Sequence, residues 1–126
     1  MGWKIVRLEF AHASGAPKSS PSRAYLLRVP LDRNDLIDCD SVQQSPSLAA
    51  ARRFWSSEPD QFGHLERSDG HWELHFLGQQ GGSIRKMPVA PLRLNRLVTI
   101  ENPDGTADLF RVVSVKSNEP AAGSES

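Results

Sequence analysis

Across 126 residues the chain has one cysteine, one tyrosine and two methionines, and its fifteen basic and fifteen acidic side chains cancel. The lone Cys39 excludes a disulfide within the chain, which suits a reducing compartment such as the cytoplasm. Zero net charge leaves no overall field to draw the chain to nucleic acid or to an anionic membrane. No stretch approaches the roughly 20 apolar residues that a membrane-spanning helix needs. Met1-Gly-Trp-Lys-Ile-Val6 lacks the apolar core of a secretory signal, and Val6 stands where a myristoylation pattern requires Ser or Thr. These absences lead us to expect a cytoplasmic protein.

Catalytic motifs are missing as well. There is no glycine-rich phosphate loop ending in Lys-Ser/Thr, no dinucleotide fingerprint after a strand, and no nucleophile elbow. The glycines and glutamines of 78–83 read as a connection. Neither Cys-x-x-Cys nor His-Glu-x-x-His occurs, and Cys39 lies between Asp38 and Asp40, a poor setting for a thiolate nucleophile. Asp32 to Asp40 holds four aspartates, but without the mid-loop glycine and closing glutamate of a calcium loop it reads as a solvated turn. Nothing in the sequence points to an enzyme or to a resident cofactor.

What the chain does have is alternation. Val6, Leu8 and Phe10 share one parity within Trp3–Ala11, as do Tyr25, Leu27 and Val29 within Arg23–Pro30. That is strand periodicity. The serines, Gly15, Pro17 and Pro21 of 14–22 read as a loop between them. Phe62 to Leu77 reads as a hairpin about Asp69-Gly70, for which a type I′ turn is expected. That turn sets Glu66 opposite Glu73, Leu65 opposite Leu74 and His64 opposite His75. A short strand is expected over 84–89, with Pro88 and Pro91 marking a sheet edge or bend. A second hairpin joins 97–101 to 107–115 across Asn102-Pro-Asp-Gly105, with Leu109, Val113 and Val115 on one face and Phe110 and Val112 on the other. Six to eight short strands, with at most one short helix near 36–46, predict an all-β or β-dominated fold. A small antiparallel barrel or curled sheet is its natural closure. One domain is expected over 1–116, and 117–126 reads as a flexible tail.

At Arg52-Arg53-Phe54-Trp55, Gly63-His64-Leu65, Trp72 with His75-Phe76, and Phe110-Arg-Val-Val-Ser-Val115, the chain resembles a family of small bacterial proteins of uncharacterised function. The likeness runs from Trp3 to Val115. It bears on one ambiguous segment. Ser45, Pro46 and Ala49–Ala51 locally favour a helix. The family instead alternates arginine and valine before Arg-Phe-Trp, which implies a strand over 49–56, and a strand is what we expect here. The resemblance implies no activity, substrate or cofactor.

Two constellations are candidates for function. On the polar face of the first hairpin, His64 and His75 oppose each other beside Glu66 and Glu73. Two imidazoles and a carboxylate at cross-strand spacing can hold a divalent metal or small ligand, although alternation alone also produces a polar hairpin face. Glu66 opposite Glu73 is an unfavourable like-charge pair unless a cation, histidine or arginine relieves it. The second constellation is Arg52, Arg53 and Trp55, with Arg85, Lys86, Arg93 and Arg96 further on. Basic side chains between aromatics can hold a protein partner, a second copy or single-stranded nucleic acid, and the last requires all of them on one face. Arg67 is expected beside Trp72, and Arg111, if buried, near Glu9 or Asp108. The expected function is therefore a non-enzymatic interaction module acting through the hairpin and the Arg/aromatic segment. Metal or small-ligand binding at His64 and His75 is the alternative, and nucleic-acid binding stands behind both.

Overall fold

The computed structural model describes residues 2–11, 19–77 and 83–118. Eight antiparallel strands follow one another around a closed barrel: β1 (Gly2–Ala11), β2 (Ser19–Leu31), β3 (Ala50–Trp55), β4 (Gln61–Ser68), β5 (His71–Phe76), β6 (Ser83–Pro88), β7 (Leu97–Glu101) and β8 (Ala107–Ser117), with β8 closing onto β1. This is the all-β barrel that the alternation predicts. Strand periodicity of two sends every other residue inward. In β5, Trp72, Leu74 and Phe76 are buried while His71, Glu73 and His75 face out. In β7 the pattern repeats with Val98 and Ile100. The inward set, including Val6, Leu8, Tyr25, Leu27, Leu65, Met87, Phe110 and Val112, forms one core. Many outward positions carry polar or charged side chains, among them His71, Glu73 and His75 of β5 and Arg52 of β3.

The helix α1 (Cys39–Gln44) lies between β2 and β3 and buries Val42 in the same core. It is followed by a short 3-10 turn, Pro46–Leu48. The turn before it is built by Asp32, whose Oδ1 accepts from the amides of Asn34 at 2.7 Å and Leu36 at 3.1 Å. The helical signals of Ser45 and Pro46 are spent in the 3-10 turn Pro46–Leu48, and Ala50–Trp55 is strand, as expected. Ala50 and Ala51 yield to tertiary pairing on both sides, with Leu27↔Ala51 on β2 and Ala50↔His64 on β4.

Several expectations are corrected. β2 begins at Ser19, inside the stretch 14–22 read as a loop, whose first part lies outside the described residues. Val115 does not share the face of Leu109. The β1–β8 register shifts between Arg7 and Leu8, so that Val6 meets Val115 and Leu8 meets Val112. That bulge returns Val115 to the core. β8 also continues through Ser117, and the Asn118 amide donates to the Trp3 carbonyl at 2.8 Å, so the expected tail starts later; 119–126 lies outside the described residues. Pro88 marks no free edge, because it ends β6 opposite His71. The proline-rich segment does coincide with the thinnest seam: among the described residues β6 meets β7 through one register pair, Lys86↔Glu101. A cleft of about 460 Å³ opens beside it, lined in part by His71, Lys86, Thr99 and Glu101.

Candidate functional site

The hairpin of β4 and β5 has the expected register throughout: Ser68↔His71, Arg67↔Trp72, Glu66↔Glu73, Leu65↔Leu74 and His64↔His75. The bend itself differs. Gly70 has φ 72°, but Asp69 is not among the positive-φ residues, so the turn resembles type II rather than type I′. The two-residue length still dictates the pairing, and His71 Nδ1 donates to the Asp69 carbonyl at 2.8 Å to brace it. Gly63 is the other fixed point. A Cβ there would stand 1.9 Å from the His75 carbonyl oxygen, so only glycine lets β4 lie this close to β5.

That close pairing brings the two imidazoles into a stack, with centroids 5.1 Å apart and planes 20° from parallel. His64 Nε2 hydrogen-bonds Glu66 Oε2 at 2.7 Å, and His75 Nε2 hydrogen-bonds Glu73 Oε1 at 2.9 Å. Glu66 also reaches across to His75, with Oε1 3.7 Å from Nε2. Glu73 has a second imidazole neighbour, His71 Nε2, at 3.5 Å. The like-charge pair foreseen between Glu66 and Glu73 is therefore relieved by histidines. The His64 hydrogen bond, helped by the His75 charge, holds the Glu66 carboxyl below its usual range. The His75 hydrogen bond does the same for Glu73.

One ligand atom from each of His64, Glu66 and His75 lies within 4.8 Å of the others. A tetrahedral zinc with bonds near 2.1 Å sets its ligand atoms about 3.4 Å apart, so side-chain rotation alone brings these three into range. Two imidazoles, one carboxylate and a solvent-facing fourth position form a fit donor set for zinc or a similar borderline cation. Glu73 is poised at His75 as a hydrogen-bond partner and a further carboxylate.

The second constellation does not assemble. Arg52 faces out and pairs with Asp60. Arg53 turns into the barrel, is 8% exposed, pairs with Glu58 at 3.1 Å, and lies 3.8 Å from the Trp55 ring centroid. A side chain so enclosed presents little surface to a protein partner. Trp55 is half-buried against the core. Arg93 pairs with Asp35, and Lys86 stands opposite Glu73 and Glu101. The six basic residues needed for a nucleic-acid face are thus divided between the inside and outside of the barrel. Arg67 lies over Trp72 at 5.6 Å, as expected. Arg111 pairs across the sheet with Glu9 in register and donates from Nη1 to the Asn95 carbonyl at 3.3 Å.

Sequence reading missed the exposed apolar border of the histidine pair. Phe62, Leu77 and Ile84 are exposed, with Phe62 two residues before His64 and Ile84 opposite His75. Their parity with the histidines carried that signal. Comparison with protein-family models, curated proteins and solved structures finds no match to this chain.

Proposed function

We propose that this barrel is a non-enzymatic metal-binding module that takes a divalent cation, zinc by preference, through His64 Nε2, His75 Nε2 and the Glu66 carboxylate. One observation carries the reading: three ligand atoms of the right chemistry within 4.8 Å of one another. Strands rather than loops hold all three, His64 and Glu66 on β4 and His75 on β5, which limits the reorganisation that binding requires. The donors lie on the outer face of the barrel, so the bound ion would face a partner or solvent. A cytoplasmic setting and the resemblance to the small bacterial family belong to the same proposal. The test is zinc titration into chelator-stripped protein, followed by calorimetry and by melting temperature. At about 100 times Kd, binding stabilises by about 2.7 kcal/mol. Unchanged melting at millimolar zinc would remove the proposal.

A protein-partner reading is supported by a different observation, the exposed Phe62, Leu77 and Ile84 around the same site. A second copy of the chain is the simplest partner. Sedimentation velocity over a range of concentrations tests it, with Phe62→Glu and Ile84→Glu expected to abolish any association.

A further inference from the structure

A second polar cluster lies inside the barrel and shares no residue with the histidine pair. Alternation turns Tyr25 of β2, Arg53 of β3 and Arg85 of β6 inward: Tyr25 pairs with Arg53 in register, and Arg85 pairs with the buried Leu74. Tyr25 is fully buried, Arg53 nearly so, and Arg85 is half-buried. Arg53 Nε and Arg85 Nε are each buried with no hydrogen-bond partner among the described residues, and the buried Tyr25 hydroxyl, beside the Arg53 guanidinium, has no acceptor there for its own proton. Tyr25 and Arg53 stand opposite each other on adjacent strands, and Arg85, inward on β6 across the closed barrel, is near enough for its charge to act on both. Burial raises the Tyr25 phenol above its usual range and lowers the Arg85 guanidinium.

Nearby acceptors satisfy only the outer nitrogens. Glu58 and Gln61 accept from Arg53 Nη1 at 3.1 and 3.5 Å, and Asn102 accepts from Arg85 Nη1 at 3.1 Å. The Trp55 ring supports Arg53 from one side, while Phe110 packs edge-on against Tyr25 with centroids 5.0 Å apart. Two like charges and three donors thus converge beside the Glu58 and Asp108 carboxylates, which leave both Nε groups and the phenol proton without an acceptor. Buried donors in folded proteins are almost always paired, so three orphans in one place call for an acceptor.

From this we propose that the Tyr25–Arg53–Arg85 cluster binds a small organic anion. Its carboxylate or phosphate oxygens accept from both guanidinium forks and the phenol, and its apolar body lies along Trp55. Planar guanidinium groups suit paired oxygens, and an arginine held against an indole is already oriented for them.

The test uses the full chain, freed of metal by chelation, at constant ionic strength. Sodium benzoate and orthophosphate are titrated separately, with binding read by calorimetry and by melting temperature. At least one is expected to bind and stabilise, and which one does separates carboxylate from phosphate. Arg85→Gln is expected to weaken that binding about tenfold or more, because it removes a charged donor. Tyr25→Phe keeps the ring and should weaken binding by a smaller factor. Arg33→Gln, an exposed arginine in the turn before α1, should leave it unchanged. Failure of both anions to bind, or binding that survives Arg85→Gln, would overturn the proposal and leave the cluster as a hydrated part of the core.

Discussion

His64 and His75 face each other in register across β4 and β5, and each is hydrogen-bonded to the glutamate two residues away on its own strand. The arrangement has a local symmetry: His-x-Glu on one strand runs against Glu-x-His on the other. The hairpin therefore presents two imidazole–carboxylate pairs side by side, and each property expected of the site follows from that pairing.

His64→Ala and His75→Ala should each abolish stabilisation by zinc, because a single imidazole and one carboxylate hold the ion poorly. At about 4 °C per kcal/mol, the wild-type shift at about 100 times Kd is roughly 10 °C. Neither variant should move by more than about 1 °C. Differential scanning fluorimetry with and without zinc reads both values.

The metal-free site should respond to acid. Glu66 and Glu73 have folded-state carboxyls held below the usual range by their histidines. The unfolded chain then binds more protons as pH falls. Their contribution to stability is complete above the ordinary carboxylate range and disappears as pH drops through the lowered folded values. Urea midpoints of wild type and a Glu66→Gln/Glu73→Gln variant should differ at neutral pH and converge in acid. A gap that stays constant or widens in acid would contradict the assignment.

Gly63→Ala should be among the most damaging small substitutions in the chain. The new methyl would meet the His75 carbonyl at 1.9 Å, which is backbone and cannot rotate away. A cost of about 3 kcal/mol or more is expected in urea unfolding. Zinc stabilisation should fall with it, because β4 must move away from β5.

Tyr25→Phe should do the opposite and stabilise the anion-free protein, by about 1 kcal/mol. The hydroxyl it removes is buried with no acceptor for its proton among the described residues, while the ring keeps its contacts with Trp55 and Phe110. Trp72→Ala, by comparison, should cost about 3–5 kcal/mol through the cavity it leaves. Denaturant unfolding of the two variants side by side checks the sign of the first and the size of the second.

Much of this was legible in residues that act locally. The Asp69-Gly70 pair set the hairpin length, and hence the facing of His64 and His75, although the turn conformation differs from the expected one. Strict alternation in His71–Phe76 identified its buried face. What stayed hidden is non-local. Alternation says that Arg53 shares a face with Ala51, but not that this face looks across the barrel to Arg85 of β6. The return of Val115 to the core depends on a bulge against β1, more than 100 residues away in the chain. The strand start at Ser19 is set by pairing with Ala11, which overrides the turn chemistry of Pro21 and its serines.

The meander order also bears on how the chain reaches this state. Seven of the eight ladders join strands that are neighbours in sequence, whereas β1 and β8 sit at opposite ends of the chain. The entropy of closing the largest loop is therefore concentrated in one event, the docking of β8 against β1. Hairpins such as β4–β5 can form early and cheaply. The rate-limiting step should be the final closure of a curled ribbon, so substitutions at Leu8 or Val112 should slow folding, and so should substitutions at Leu74, whose hairpin contacts are already made when the ring closes.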